Sequence, residues 1–115
     1  MSTSSGQWAE EVAANYLANK GHKILEKNWK TRWCEIDVVA QKGQRVHFAE
    51  VKYRRSADFG GGLEYITSRK AKQMQFAALQ WVGEHSWQAD YQLDVIAVEG
   101  QDNPKITYVP NAVGW

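Results

Sequence analysis

The chain has 115 residues, 43% of them apolar, and a formal net charge of +1; this suits one domain around one buried core. A lone cysteine, Cys34, excludes an internal disulfide and reads as a small buried residue. No apolar run approaches the roughly 20 residues of a membrane span, and the polar Met1–Ser5 segment does not resemble a signal peptide, so a cytoplasmic protein with no membrane partner is expected.

Charge is unevenly spread. Between Lys52 and Lys72 six basic residues (Lys52, Arg54, Arg55, Arg69, Lys70, Lys72) stand against Asp58 and Glu64, which makes this stretch +4 and the remainder −3. A local basic stripe points to a polyanionic partner; a solvated face is the plainer reading.

After Met1–Ser5, expected to be mobile, with Ser4 or Ser5 as N-cap, a helix is predicted from about Gln7 to Asn19, ending near Gly21. Ala9, Val12, Ala13, Tyr16 and Leu17 recur at helical spacing and form one buried stripe. At 100° per residue, Glu10 lies about 90° from the middle of the stripe, where it can reach a site at the packing edge, while Glu11 faces water. Glu10 reads equally well as an ordinary first-turn acid favoured by the helix dipole.

His22–Trp29 is predicted as a strand, followed by a basic and aromatic turn, Lys30–Trp33. Trp29 and Trp33 are of the type that stacks on bases in single-strand binders. The preferred reading has both covering core edges, where their large areas pack.

Cys34–Ala40 and Val46–Lys52 alternate like strands around a turn at Gly43, which predicts a hairpin. Alternation places Glu35, Asp37 and Val39 on one face, with Ile36, Val38 and Ala40 opposite; Val46, Phe48, Glu50 and Lys52 share a face in the partner strand. Closing the hairpin brings Asp37 towards Glu50 and Lys52. Charges placed among apolar strands are costly to bury unless they are paired or bind a cation.

Arg54–Gly62, with Phe59 and three consecutive glycines, reads as a loop able to approach a ligand or simply tolerated at the surface. Thr67 or Ser68 caps a second helix running to about Glu84, with Ala71, Met74, Ala78, Trp81 and Val82 buried. Lys70 lies on the flank of that stripe, and Arg69 and Lys72 point further outward. Asp90–Glu99 is a fourth strand and Lys105–Val109 a fifth, ended by Pro110; the tail from Asn111 docks only through Trp115. His22, His47 and His85 lie on separate elements without ligand spacing and read as structural or exposed. The element order predicts an α/β protein with a mixed sheet flanked by helices, and a crossover if the third and fourth strands are parallel.

Asp37, thirteen positions before Glu50-Val51-Lys52 in this element order, resembles the PD-(D/E)XK nuclease superfamily, with its restriction-endonuclease-like α-β-β-β-α-β core. Gly6-Gln7-Trp8-Ala9-Glu10, Glu35-Ile36-Asp37, Phe48 to Arg54, Phe59-Gly60 and Lys70 look more narrowly like the YraN family, small bacterial proteins similar to Holliday junction resolvases. Ile36, not proline, precedes Asp37, and Glu35 adds a further acid, so the metal-binding acid is open between Asp37 and Glu35.

The resemblance implies an Mg²⁺- or Mn²⁺-dependent endonuclease hydrolysing phosphodiester bonds of nucleic acid, with DNA, including branched or junction DNA, as the favoured partner. Asp37 and Glu50, with Glu35 as a further candidate, would hold the metal. Lys52 would orient the attacking water, and Glu10 would steady the site. Arg54, Arg55, Arg69 and Lys70 would grip the backbone. A homodimer is a further implication, since the resolvases act as symmetric pairs. The competing readings are a DNA-binding protein of the same fold without autonomous catalysis, and an interaction domain whose Asp37, Glu50 and Lys52 form only an ion-pair network.

Overall fold

A computed structural model of the chain describes residues 4–55 and 66–113. The expected glycine loop from Phe59 to Gly62 and the expected docking of Trp115 lie outside the described residues. The elements are α1 (Ser4–Asn19), β1 (Lys23–Lys30), β2 (Glu35–Lys42), β3 (Arg45–Arg54), α2 (Ser68–His85), β4 (Asp90–Glu99) and β5 (Lys105–Val113). The strands form one sheet in the order β1-β2-β3-β4-β5. All neighbours are antiparallel except β3 and β4, whose parallel pairing requires the crossover that α2 supplies.

A mixed sheet with a helix on each face is the α/β arrangement expected from the element order, and it is consistent with the restriction-endonuclease-like core that the resemblance implies. On one face Ala9, Ala13, Ala14 and Leu17 of α1 pack on Val38, Ala40, Ala49, Ile96 and Val98. On the other, Met74, Ala77, Ala78 and Trp81 of α2 pack on Val39, Val46, Phe48, Leu93 and Val95. A sheet covered on both faces explains the nearly continuous apolar run through β4, where both sets of alternating side chains are buried.

Helix α1 begins at Ser4, earlier than the predicted start near Gln7. The α2 start agrees with its cap: the Thr67 hydroxyl accepts the Lys70 backbone N–H at 3.0 Å. Strand β5 departs from expectation, because it continues through Pro110 to Val113 and Val113 is buried. Its pairing with β4 shifts register between Leu93 and Val95, and Asn111 adopts φ 52° in the extra stretch. An edge strand with a bulge tolerates proline, since the missing N–H interrupts no inner ladder.

In β2, strict alternation fails beside Asp37. Lys27 pairs with Val38 and Trp29 with Ile36, which sets Asn28 opposite Asp37. Trp29 and Ile36 belong to the α2-side core, whereas Val38 lies in the α1-side core. Ile36 is therefore on the same side as Val39, contrary to the alternation expected of β2. The cause is a kink shared by two strands: Asn28 has φ 55°, a left-handed conformation that asparagine tolerates better than most residues. Beyond this point the β2–β3 ladder ends, its last pair being Val38 and Ala49.

Candidate metal and nucleic-acid site

The kink builds the site. Freed from the ladder, the Asp37 carboxylate accepts the Val51 backbone N–H at 2.8 Å, standing where a main-chain carbonyl would otherwise be. Asn28, across the kink, donates its side-chain amide to Glu10, which is only 6% exposed on α1. Glu10 thus faces the sheet while Glu11 is exposed and pairs with Lys27, as their angular positions on the helix require. From the other face, the Glu50 carboxylate meets Lys70 Nζ of α2 at 3.0 Å.

Four acids converge on this point. Burial, and then the neighbouring Glu50 charge, push the Asp37 carboxyl up to about 8; Glu10 and Glu35 add to the rise, and the Val51 N–H opposes it. A carboxylate surrounded by carboxylates gains from a cation or a proton. Among the described residues no three His, Cys, Asp or Glu side chains are arranged to hold a metal by themselves. A hard cation such as Mg²⁺ needs less, commonly one or two carboxylates with waters and phosphate oxygens completing the shell. Asp37 and Glu50 offer that donor set, with Glu35 beside them.

A cleft of about 520 Å³ opens beside Glu50 and Glu35, and Arg69, Lys70 and Lys72 also line it. Lys72 was not among the expected backbone-gripping residues, yet α2 turns it into the same wall as Arg69 and Lys70. Neither Arg54, at the end of β3, nor Arg55, which is exposed, is among the described residues of that wall. Lys52 is half-buried two positions after Glu50; among the described residues the ammonium that reaches Glu50 is that of Lys70. Cys34 is only partly buried: its Sγ lies 3.3 Å from Thr31 Oγ1, and it lines the cleft. Trp29 covers the core edge as expected, but Trp33 stands 70% exposed at the cleft.

A second polar cluster, absent from the sequence reading, is buried under α1. Asp94, 0% exposed, accepts bonds from the Asn111 backbone N–H, the Gln92 side-chain amide and the Tyr108 hydroxyl, and lies 2.7 Å from His47 Nδ1. His22 and His47 meet edge to face, with ring centroids 4.7 Å apart. His85 stacks on Trp81. Asp94 ties the β5 bulge to the sheet, so His47 is structural; nothing in the spacing of these residues foreshadows the cluster.

Residues 9–98 match the family described as "Uncharacterised protein family UPF0102". The chain belongs to that family. Over 114 residues it is 39% identical to a UPF0102 protein of Syntrophomonas wolfei, covering 97% of this chain and 99% of that one. A UPF0102 protein of Sulfurihydrogenibium is 36% identical over 96% of this chain and 94% of its own, and one of Trichlorobacter lovleyi is 40% identical over 93% and 87%. UPF0102 is the YraN family to which the residue pattern pointed. The matched span runs from Ala9, one residue before Glu10, to Val98 of β4, and so contains the kink, both carboxylates and the cationic wall of this UPF0102 chain.

Proposed function

We propose that this protein is a metal-dependent phosphodiesterase acting on nucleic acid, with DNA as its substrate and Mg²⁺ or Mn²⁺ as its cofactor. One observation carries the reading: Asp37 and Glu50 converge where β2 parts from β3, beside a cleft walled by Arg69, Lys70 and Lys72. Acids held together in a partly buried position oppose folding, and a protein retains such an arrangement where it serves a ligand.

The roles of the residues follow from their places. Asp37, held by the Val51 N–H, and Glu50 would hold the cation, with Glu35 at the cleft side and Glu10, braced by Asn28, supporting the arrangement from α1. The bound ion supplies a water of lowered pKa and stabilises charge developing on phosphorus. Arg69, Lys70 and Lys72 hold backbone phosphates, an attraction that weakens as salt rises and carries no sequence preference. Lys52, beyond Glu50 on β3, orients the attacking water and offsets phosphate charge. With a cation held at Glu50, Lys70, which pairs with that carboxylate here, would be available to a backbone phosphate.

A second reading has a specific support. The Lys70–Glu50 pair neutralises one of the two carboxylates, as would suit a DNA-binding protein that does not cleave on its own. Incubating branched, flapped and linear DNA with Mg²⁺ or Mn²⁺ separates the two. The nuclease reading expects metal-dependent products that Glu50→Gln abolishes and Lys52→Ala strongly reduces. Equal products from wild type and Lys52→Ala overturn the assignment, and salt-sensitive binding without products establishes the second reading instead.

A further inference from the structure

The walls of the cleft carry information about which form of nucleic acid enters it. Two large aromatic side chains stand in solvent there: Trp33, in the turn between β1 and β2, is 70% exposed, and Phe76, on α2, is 45% exposed. Both line the cleft that holds Glu50 and the three cations. They come from separate elements, so no helical or strand periodicity of a buried face accounts for their meeting. The Arg32 guanidinium lies 5.4 Å from the Trp33 ring centroid, which props the indole and adds positive charge beside it.

A cleft of about 520 Å³ falls in the size range of sites for single small ligands. A duplex keeps its base faces stacked inside and would offer this cleft only phosphates and groove edges. An unpaired nucleotide offers both a phosphate for the cations and a flat base face for an aromatic, the combination that single-strand binders use. We infer that the cleft takes an unpaired nucleotide of single-stranded DNA or of a single-stranded branch, with its base stacked on Trp33 and its phosphate held by Arg69, Lys70 and Lys72. This rests on the nucleic-acid reading of the site and specifies its substrate class: strands with unpaired bases are bound in preference to continuous duplex.

Equilibrium binding by fluorescence anisotropy tests it with three labelled probes: a short single strand, the same sequence as a blunt duplex, and an abasic strand of equal length. Trp33→Ala is expected to weaken binding of the single strand about tenfold, Trp33→Phe to restore most of that loss, and the abasic strand to bind wild type and Trp33→Ala alike. Arg69→Ala with Lys72→Ala is expected to weaken binding of all three. Unchanged single-strand binding by Trp33→Ala, or an equal loss on the abasic strand, overturns the stacking inference and leaves the nucleic-acid reading standing. Failure of the wild type to bind any probe overturns both.

Discussion

The Asp37 carboxylate accepts the backbone N–H of Val51, a residue of the neighbouring strand, at 2.8 Å. A side chain has taken a place in the sheet's own hydrogen-bond ladder, and it did so because both β1 and β2 kink at the Asn28–Asp37 position. The same kink that holds Asp37 beside Glu50 ends the β2–β3 pairing and opens the sheet toward the cleft. Position of the acid and access to it therefore have one cause.

Asp37 opposes folding in metal-free buffer, and the sign of its pH dependence follows. Its folded value is raised to about 8 by burial and by Glu50, so between about pH 4 and pH 8 the unfolded chain releases a proton that the folded chain keeps. Stability from this group declines over that window. In urea unfolding with a chelator, Asp37→Asn is expected to be more stable than wild type by on the order of 2–5 kcal/mol at pH 8, with the difference shrinking toward pH 4. A variant no more stable at pH 8 than at pH 4, relative to wild type, would show that the carboxylate is not crowded.

A divalent cation should reverse that strain. Millimolar Mg²⁺ is expected to raise the melting temperature of the wild type at pH 8, by an amount equivalent to about 2.7 kcal/mol when the ion is a hundredfold above its dissociation constant. Glu50→Gln and Asp37→Asn should each lose most of this gain. Calorimetry that finds the same shift in all three proteins would place the ion elsewhere.

Two substitutions at Asn28 separate the kink from the brace. Asn28→Gly keeps the positive φ without strain and loses the bond to Glu10, whereas Asn28→Ala loses the bond and also strains the backbone. The alanine variant is expected to be less stable than the glycine variant by about 1–2 kcal/mol. Both should reduce cleavage if the brace on Glu10 matters, and a chemical-denaturation series with paired activity assays reads the two effects apart.

Asp94 should matter to folding and not to the cleft. Burial alone would raise its carboxyl, but bonds from His47, Asn111, Gln92 and Tyr108 outweigh that and hold it below the usual carboxylate range. His22, whose own value burial lowers, also faces this cluster through His47. Stability from Asp94 is therefore present above about pH 4 and lost as pH falls through its depressed folded value. Asp94→Asn is expected to cost about 2–4 kcal/mol at neutral pH, and less in acid, with DNA affinity per folded molecule unchanged. Loss of DNA affinity by a fully folded Asp94→Asn protein would tie this cluster to the cleft.

Much of this molecule was legible in the order of its residues, because a helix or strand repeats its buried face at a fixed interval and a chain of apolar residues displays that interval directly. The seven elements and the inward tilt of Glu10 against the outward Glu11 follow from such local repetition, and the hairpin it predicts brings the strands of Asp37 and Glu50 together. What depended on the third dimension were the breaks in repetition and the meetings between distant elements. A left-handed Asn28 returns Ile36 to the face that alternation denied it, α2 brings Lys70 to Glu50 and turns Lys72 into the cleft, and the β5 bulge closes over Asp94 beyond a proline that looked like a strand's end. Those outcomes are set by which surfaces pack together, a free energy shared among residues far apart in the chain, and no single stretch of sequence contains it.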